Sequence, residues 1–149
     1  NRRRWQNAVG YVSQHVFLLD GTLLENIALG EEEEKIDRRR AEVSLRAARL
    51  EDFVQSLSAG IDTPIGEAGN KLSGGQRQRI GIARALYKQA NILFFDEATS
   101  ALDSGTEEGI NRSIAELSQH NRDLTIVVIA HRESSLEYCD RIITLDNNG

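Results

Sequence analysis

Two apolar runs of this sequence end abruptly in polar side chains that could do chemistry. The run Ile92 to Phe95 ends at Asp96 and Glu97. Neighbouring carboxylates after a strand project to opposite sides, so one could face a metal ion and the other a reacting atom. The run Leu124 to Ala130 ends at His131. Because ligands of open parallel sheets bind beyond the carboxyl ends of the strands, both ends are candidate sites. The alternatives are ordinary surface carboxylates and a structural or exposed histidine.

A glycine-rich segment, Ser73-Gly74-Gly75-Gln76, precedes a helix that the apolar pattern predicts from about Gly75 to Lys88. The start of a helix presents unpaired backbone N–H groups and the positive end of the helix dipole, and glycines let an anion approach closely. The segment could therefore bind a phosphate group. A plain glycine-rich helix start without a ligand is the alternative.

Capping residues and apolar spacing predict the other helices. A hydroxyl residue three positions before a glutamate forms a capping box, which predicts helix starts at Thr22 with Glu25 and at Ser104 with Glu107. Apolar steps of 4, 3, 4 and 3 residues predict one helix from Asp37 to about Leu57. The expected buried face of that helix is Val43, Ala47, Leu50, Val54 and Leu57, and that of the helix after Ser104 is Ile110, Ile114 and Leu117.

The remaining segments predict strands and one loop. Ala8 to Val12 predicts a short strand that ends at Ser13 and Gln14, and Arg141 to Leu145 predicts another strand. Gly60 to Gly69 contains the single proline and predicts a loop. The two apolar runs described first lack polar alternation, which is typical of strands buried on both faces of a parallel sheet. Because strands and helices alternate through the second half of the chain, we expect an α/β fold.

The composition excludes several classes of protein. With 149 residues, 40% of them hydrophobic and 28% charged, the chain has the size and composition of one soluble globular domain. A formal net charge of −5 and a pI near 5.2 argue against a nucleic-acid surface over the whole molecule. Cys139 is the single cysteine, so no internal disulfide can form and a reducing, cytosolic setting is favoured. Because methionine is absent, we expect a piece of a longer chain.

The order of the motifs resembles the nucleotide-binding domain of the ATP-binding cassette (ABC) family. The matching segments are the signature motif Leu72 to Arg79, the Walker B strand Ile92 to Glu97, the D-loop Ser100 to Asp103, the switch histidine His131, and the Q-loop with Gln14 in Tyr11 to Gln14. The resemblance implies a mostly parallel sheet of the P-loop NTPase type with an inserted α-helical subdomain that carries the signature motif. Residues of about 16–88 would form that subdomain, and residues 1–15 and 89–149 would form parts of the catalytic core.

The resemblance also implies a role for each polar residue at the strand ends. Asp96 would hold Mg²⁺ through water, with Gln14 as a further metal contact. Glu97 would orient or deprotonate the attacking water, and Gln14 and His131 would contact the region of the γ-phosphate. Positioning and charge stabilisation do most of the work in phosphoryl transfer, so these residue types suit ATP hydrolysis.

The signature motif has a different implied role. In the family, Ser73, Gly74, Gly75 and Gln76 contact ATP that is bound to the opposite subunit, and Asp103 lies at the same dimer interface. ATP is then held between two nucleotide-binding domains arranged head to tail, as a homodimer or a heterodimer, and hydrolysis needs both.

The sequence contains no Gly-x-x-x-x-Gly-Lys-Ser/Thr, so the P-loop that grips the phosphates is missing from these residues. We therefore expect the chain alone neither to bind nor to hydrolyse ATP appreciably. In the family, the strand that leads to the P-loop lies between the strands expected at Leu124 to Ala130 and Arg141 to Leu145. An open edge is a template for pairing, so we expect either dimerisation through this gap or partial disorder near Arg141 to Gly149.

Spacing and two loops resemble ABC transporters of the exporter type. The 58 residues between Gln14 and Ser73 suit a transporter's helical subdomain, whereas relatives in chromosome maintenance and double-strand-break repair carry a long coiled coil there. Asp20 to Gly30 and Thr63 to Gly69 resemble exporter loops, although Pro64 stands where many exporters carry glutamate. The implied partner is a membrane domain, at the cytoplasmic face of a bacterial inner membrane.

A soluble ABC ATPase that acts on RNA or DNA is the alternative from another class. Its marks would be a second cassette or a basic arm, and the net charge of −5 does not support it. We therefore expect ATP hydrolysis coupled to export, with ATP and Mg²⁺ as cofactors and no nucleic-acid partner.

Overall fold

Three parallel strands and the helices packed on them carry the candidate site. A computed structural model describes residues 8–66, 72–96, 102–130 and 132–145. In chain order the elements are β1 (Val9–Ser13), β2 (Gly21–Thr22), α1 (Leu23–Ile27), α2 (Arg38–Ala47), α3 (Glu51–Ser56), β3 (Pro64–Ile65), α4 (Gly74–Tyr87), β4 (Ile92–Asp96), α5 (Ser104–His120) and β5 (Thr125–Ile129). Short 3-10 helices cover Glu33–Lys35, Gly60–Asp62 and Glu133–Ser135.

The sheet has the strand order β1-β4-β5, and both of its pairings are parallel. In its register Ser13 lies opposite Asp96, and Asp96 lies opposite Ile129. The three strands therefore end level with one another. Leu93 and Phe95 of β4 are buried in the core. The expected α/β class with a parallel sheet is confirmed.

The signature helix α4 is the centre of the packing. It lies against β1, α1 and α2, and it meets α5 near its start. Its buried apolar residues are Ile80, Ile82, Ala83, Ala85 and Tyr87. They join one hydrophobic core with Leu23 and Ile27 of α1 and Ile110 of α5. No helix within the described ranges combines the length and the apolarity that crossing a bilayer would require.

The single helix expected from Asp37 to about Leu57 is two helices. Leu50 N–H donates to the carbonyl of Leu45 at 2.9 Å, and Arg49 adopts a left-handed φ of 59°, which ends α2. The predicted buried face therefore spans two separate helices, α2 and α3. Val43, predicted to be buried, is 59% exposed, and the buried residues of α2 are Ala41, Ser44 and Leu45.

Two helix starts give opposite outcomes for the predicted capping boxes. The Thr22 hydroxyl accepts from Glu25 N–H at 3.1 Å and the Glu25 carboxylate accepts from Thr22 N–H at 2.6 Å, which confirms that box. The capping box predicted at Ser104 is wrong because Asp103 caps α5 instead, but the helix start at Ser104 and the buried face of Ile110, Ile114 and Leu117 are confirmed. An aspartate one residue earlier accepts from the first turn equally well, so α5 begins at Ser104 itself.

The structure also contradicts the predictions for residues 60–69 and 141–145. The stretch of 60–69, expected as a loop, includes the 3-10 helix Gly60–Asp62 and the strand β3, which pairs with β2. Residues 141–145, expected as a strand, form none, and Ile142, Ile143 and Leu145 are exposed. In the described part of the chain no strand lies beyond β5, so an apolar segment there has no backbone to pair with. Dimerisation through that edge stays a prediction.

Candidate functional site

The level ends of the three strands bring Gln14 and Asp96 to one edge of the sheet. Gln14 directly follows Ser13, which lies opposite Asp96 in the register. Glu97 and His131, expected at the same edge, lie outside the described residues. Their roles stay predictions, although the register fixes the strand ends that precede them, Asp96 and Ile129, opposite each other.

Asp96 has a partner that the sequence did not indicate. The hydroxyl of Tyr11 donates to Oδ2 of Asp96 at 2.5 Å, and this hydrogen bond, with a smaller contribution from desolvation, raises the pKa of the Tyr11 hydroxyl. Tyr11 stands opposite Phe94 and Ser13 opposite Asp96, so both side chains project from the same face of the sheet. The sequence could not predict this contact, because it does not show that β1 pairs with β4. Only the register of that pairing places Tyr11 and Asp96 on the same face.

The start of the Q-loop is held by a buried glutamine of the signature helix. Gln78 is 4% exposed, and its Nε2 donates to the backbone carbonyls of Gln14 at 2.7 Å and Ser13 at 3.2 Å. Its Oε1 is buried and finds no partner among the described groups. The motif match placed Gln78 next to the functional residues, yet nothing in the sequence indicated that it reaches the Q-loop.

The Q-loop continues from Gln14 to Leu19, and Arg84, about two turns further along α4, holds this far end. Its guanidinium donates to the carbonyls of Phe17 and Asn26, each at 2.5 Å, and to Oδ1 of Asn26 at 2.8 Å. Burial lowers the pKa of Arg84 below that of a free guanidinium. Asn26 is fully buried, and its side chain also bonds both the N–H of Leu19, at 2.9 Å, and the carbonyl of Leu19, at 3.0 Å. One helix thus fixes residues 13–19 at both ends.

The signature motif forms a complete capping box at the start of α4. Ser73 Oγ accepts from Gln76 N–H at 3.1 Å, and Gln76 Oε1 accepts from Ser73 N–H at 2.9 Å. Ser73 and Gly74 are exposed, whereas Gly75 is buried and the N–H of Gln76 is already bonded to Ser73 Oγ. The start of this 14-residue helix, with its serine cap, has features that suit an anion, and phosphate binding there stays a prediction.

Packing within the chain also explains why positions 74 and 75 are glycine. A Cβ on Gly74 would lie 2.8 Å from Leu102 Cδ2, and a Cβ on Gly75 would lie 2.6 Å from Thr106 Cγ2. These distances are shorter than carbon atoms tolerate. The glycines therefore let the start of α4 press against the start of α5, which joins the signature motif to the D-loop.

Asp103, expected at a dimer interface, is exposed and caps α5. Its Oδ1 accepts from Thr106 N–H at 3.0 Å, and its Oδ2 accepts from the Thr106 hydroxyl at 2.7 Å. The hydroxyl bond, followed by the backbone bond, lowers the pKa of the Asp103 carboxyl. The side chain is thereby fixed as a carboxylate on the surface beside the signature motif.

Polar groups that could hold a cation are few in the described ranges. No cluster of three His, Cys, Asp or Glu side chains occurs among residues 8–66, 72–96, 102–130 and 132–145. Asp96 offers carboxylate oxygens, which are the hard donors that Mg²⁺ prefers. A single such carboxylate fits a metal that is held largely by its own waters and by nucleotide phosphates.

A parallel sheet whose strands end level with one another, packed against a helix with a glycine-rich start, is typical of phosphate-binding α/β domains. The chain belongs to the ABC transporter family, whose profile matches residues 1–100. This confirms the family indicated by the motifs.

Two relatives and one solved structure show what this chain is similar to. An ATP-dependent lipid A-core flippase of Cupriavidus pinatubonensis is 48% identical over 146 residues, which is 97% of this chain and 24% of the relative. An uncharacterized ABC transporter ATP-binding protein of Bacillus subtilis, YwjA, is 48% identical over 95% of the chain and 24% of its own length. The structure of a bacterial Atm1-family ABC exporter with ATP bound matches with a TM-score of 0.74 and 37% identity, over 91% of this chain and 23% of that one. The chain thus spans about a quarter of these proteins.

Proposed function

We propose that this chain is part of the ATP-hydrolysing domain of an ABC exporter, which couples ATP binding and hydrolysis to the movement of a substrate across a membrane. The observation that carries the proposal is the register of the sheet. It sets Ser13, Asp96 and Ile129 side by side. The residues that the family uses around the γ-phosphate come just after these strand ends in the sequence: Gln14 follows Ser13, Glu97 follows Asp96, and His131 lies two positions after Ile129. The named flippases and the exporter structure are similar over nearly the whole chain, which supports the same function.

In this proposal the strand ends form the catalytic side of the site. Asp96 holds Mg²⁺, with Gln14 as a second contact, and the bound ion supplies positive charge to the phosphate oxygens. Glu97 orients or deprotonates the attacking water. Gln14 and His131 contact the γ-phosphate region, and the contacts of Gln78 hold the backbone of Gln14 in place for that task.

In the same proposal the signature motif acts on a second nucleotide-binding domain, in a homodimer or a heterodimer. Ser73, Gly74, Gly75 and Gln76 contact ATP held by the partner domain, and Asp103 lies at the interface between the two. The exposure of Ser73 and Asp103 supports this assignment, because both must reach beyond their own chain. We further propose that residues of about 16–88 form the helical subdomain facing a transmembrane domain, at the cytoplasmic side of a bacterial inner membrane.

The proposal is tested by replacing Glu97 in the complete transporter. Glu97→Gln keeps the shape of the side chain and removes its charge, so MgATP should still bind while turnover falls by about 10²-fold or more. ATPase rates and nucleotide affinity of the purified transporter measure the two effects separately. Unchanged turnover would show that Glu97 is an ordinary strand-end residue and would remove the basis of the assignment.

A further inference from the structure

Glu107 is a buried carboxylate to which the proposed function assigns no role. Glu107 lies on α5, one turn after the cap Asp103, and is 5% exposed. Its Oε2 accepts from Nη1 of Arg132 at 2.8 Å, and its Oε1 accepts from the hydroxyl of Ser135 at 3.2 Å. A buried carboxylate is costly unless it is paired, so these bonds are built into the packing of the two segments.

Arg132 and Ser135 both lie on the short segment that follows His131. Arg132 is the next residue along the chain, and Ser135 ends the 3-10 helix Glu133–Ser135. Ser135 is itself buried, at 8% exposure, whereas about half of the Arg132 side chain is exposed. The contact therefore fixes the position of the chain immediately after His131 against the first turns of α5.

The first turn of α5 is also where the signature motif packs. Gly75 lies against Thr106, the residue before Glu107, and Asp103 binds the same Thr106. The segment after His131, the D-loop aspartate and the signature helix are therefore all fastened to one helical turn. A residue on that turn is well placed to set where the segment after His131 lies relative to the D-loop aspartate and the signature helix.

We propose that Glu107 is a positioning residue for His131: through Arg132 and Ser135 it holds the segment that follows the histidine at a fixed place on α5. This inference rests on the proposed function, because His131 matters only in an ATP site. Glu107 itself need touch neither the nucleotide nor the metal ion.

The test uses Glu107→Gln in the complete transporter, which removes the charge and keeps the size. Loss of position should lower kcat for ATP by about 10-fold and leave the KM for ATP and the melting temperature close to those of the unaltered protein. Arg132→Gln should give a similar loss, and the double variant should be no slower than either single one, because both changes break the same pair.

Glu116→Gln is the matched control. Glu116 lies on the same helix and is paired with Arg49, in a pair that is more exposed than that of Glu107. Its replacement should leave kcat unchanged. The proposal is overturned if Glu107→Gln keeps a kcat within about twofold of the unaltered value, or if kcat falls only together with ATP affinity and melting temperature.

A second measurement separates this proposal from the proposed function. Amide hydrogen exchange in the 149-residue chain reports directly on the N–H of Ser135, which donates to Arg132, and on the N–H of Leu136, which donates to Glu133. Glu107→Gln should speed exchange at both, and Glu116→Gln should not; unchanged exchange contradicts the inference. If Glu97→Gln leaves turnover intact, the proposed function fails, whatever the exchange data show for Glu107.

Discussion

The side-chain amide of Gln78 lies 2.7 Å from the backbone carbonyl of Gln14, so the helix that begins with the signature motif also holds the start of the Q-loop. Ser73 caps that helix and Gln78 lies in its second turn. Because Ser73 and Gln78 belong to one continuous helix, they move together. Any movement of the helix start at Ser73 should therefore be passed to the backbone that bears Gln14.

Gln78→Met should weaken the fold at this link. The substitution keeps the length of the side chain and leaves the carbonyls of Ser13 and Gln14 without their donor, which costs about 1–3 kcal/mol in the free energy of unfolding. The loss is offset in part because the unpartnered Oε1 also disappears. Urea denaturation of the purified chain measures the change.

Gln55→Met is the control for this prediction, because Gln55 is exposed on α3. The same chemical change at an exposed position should alter the free energy of unfolding by less than about 0.5 kcal/mol. If the two variants were equally stable, the bonds from Gln78 would contribute nothing to holding the Q-loop.

Arg84→Lys should release the far end of the Q-loop. A lysine keeps the charge, but a single ammonium group cannot serve the carbonyls of Phe17 and Asn26 with the geometry of a planar guanidinium. Hydrogen bonds from charged groups contribute about 1.5–3 kcal/mol each, so a loss of about 2 kcal/mol or more in the free energy of unfolding is expected. The amide of Leu19, held by Asn26, should exchange faster.

Arg112→Lys serves as the control for Arg84. Arg112 makes an exposed pair with Glu108 at 3.0 Å on α5. Such pairs contribute about 0–1 kcal/mol, and lysine replaces arginine in them readily, so little change is expected. A similar loss in both variants would mean that the forked contacts of Arg84 are not what stabilises the loop.

Elements that depend on neighbours in sequence were predictable. The start of α4, predicted at about Gly75 and found at Gly74, follows from residues within four positions of one another, as do the capping box at Thr22 and the strand that ends at Asp96. The parallel arrangement followed as well, because apolar strands without polar alternation are typical of parallel sheets. The expected burial of both strands on both faces is wrong for β5, which has no buried residue and whose Ile129 is 47% exposed.

Contacts between distant segments were not predictable in the same way. Gln78 reaches Gln14 across 64 positions, and Arg84 reaches Phe17 across 67. Neither residue differs in type from an ordinary surface residue of a helix, so only the packed fold reveals that each is turned inward. The break at Arg49 was missed for a related reason: the apolar spacing continues through it, while the backbone turns to let Leu50 enter the core.

The pair of Arg38 and Asp62 makes part of the stability depend on pH. The guanidinium donates to both carboxylate oxygens, at 2.8 and 2.7 Å, and this holds the pKa of Asp62 below its ordinary value of 3.8. A carboxyl whose pKa is lowered by folding adds stability above its unfolded pKa and loses it as the pH falls through the folded value. The contribution is small, since both side chains are about half exposed.

Asp62→Asn should therefore flatten the acid side of the stability curve and leave its shape near neutral pH unchanged. Melting temperatures between neutral pH and the acid limit of folding measure this, with Asp52→Asn on α3 as an exposed control. An acid side as steep in Asp62→Asn as in the unaltered chain would contradict the assignment.

Gly75→Ala should disturb the junction between the signature motif and the D-loop. The new Cβ would lie 2.6 Å from Cγ2 of Thr106, and that side chain cannot turn away without breaking its bond to Asp103. Overpacking of this kind costs about 1–3 kcal/mol. Gly105→Ala is the control, because its Cβ would lie at an ordinary 3.6 Å from Asp103 Oδ1. It should be neutral or stabilise α5 by up to about 1 kcal/mol.

A second substitution identifies the clash as the cause. Thr106→Ser removes Cγ2 and keeps the hydroxyl that binds Asp103, so the double variant Gly75→Ala with Thr106→Ser should regain most of the stability that Gly75→Ala loses. Urea denaturation of the four proteins of this cycle measures the recovery. If Thr106→Ser costs the same stability in the unaltered chain as in Gly75→Ala, the two residues act independently, and a clash with Thr106 is not the reason for glycine at position 75.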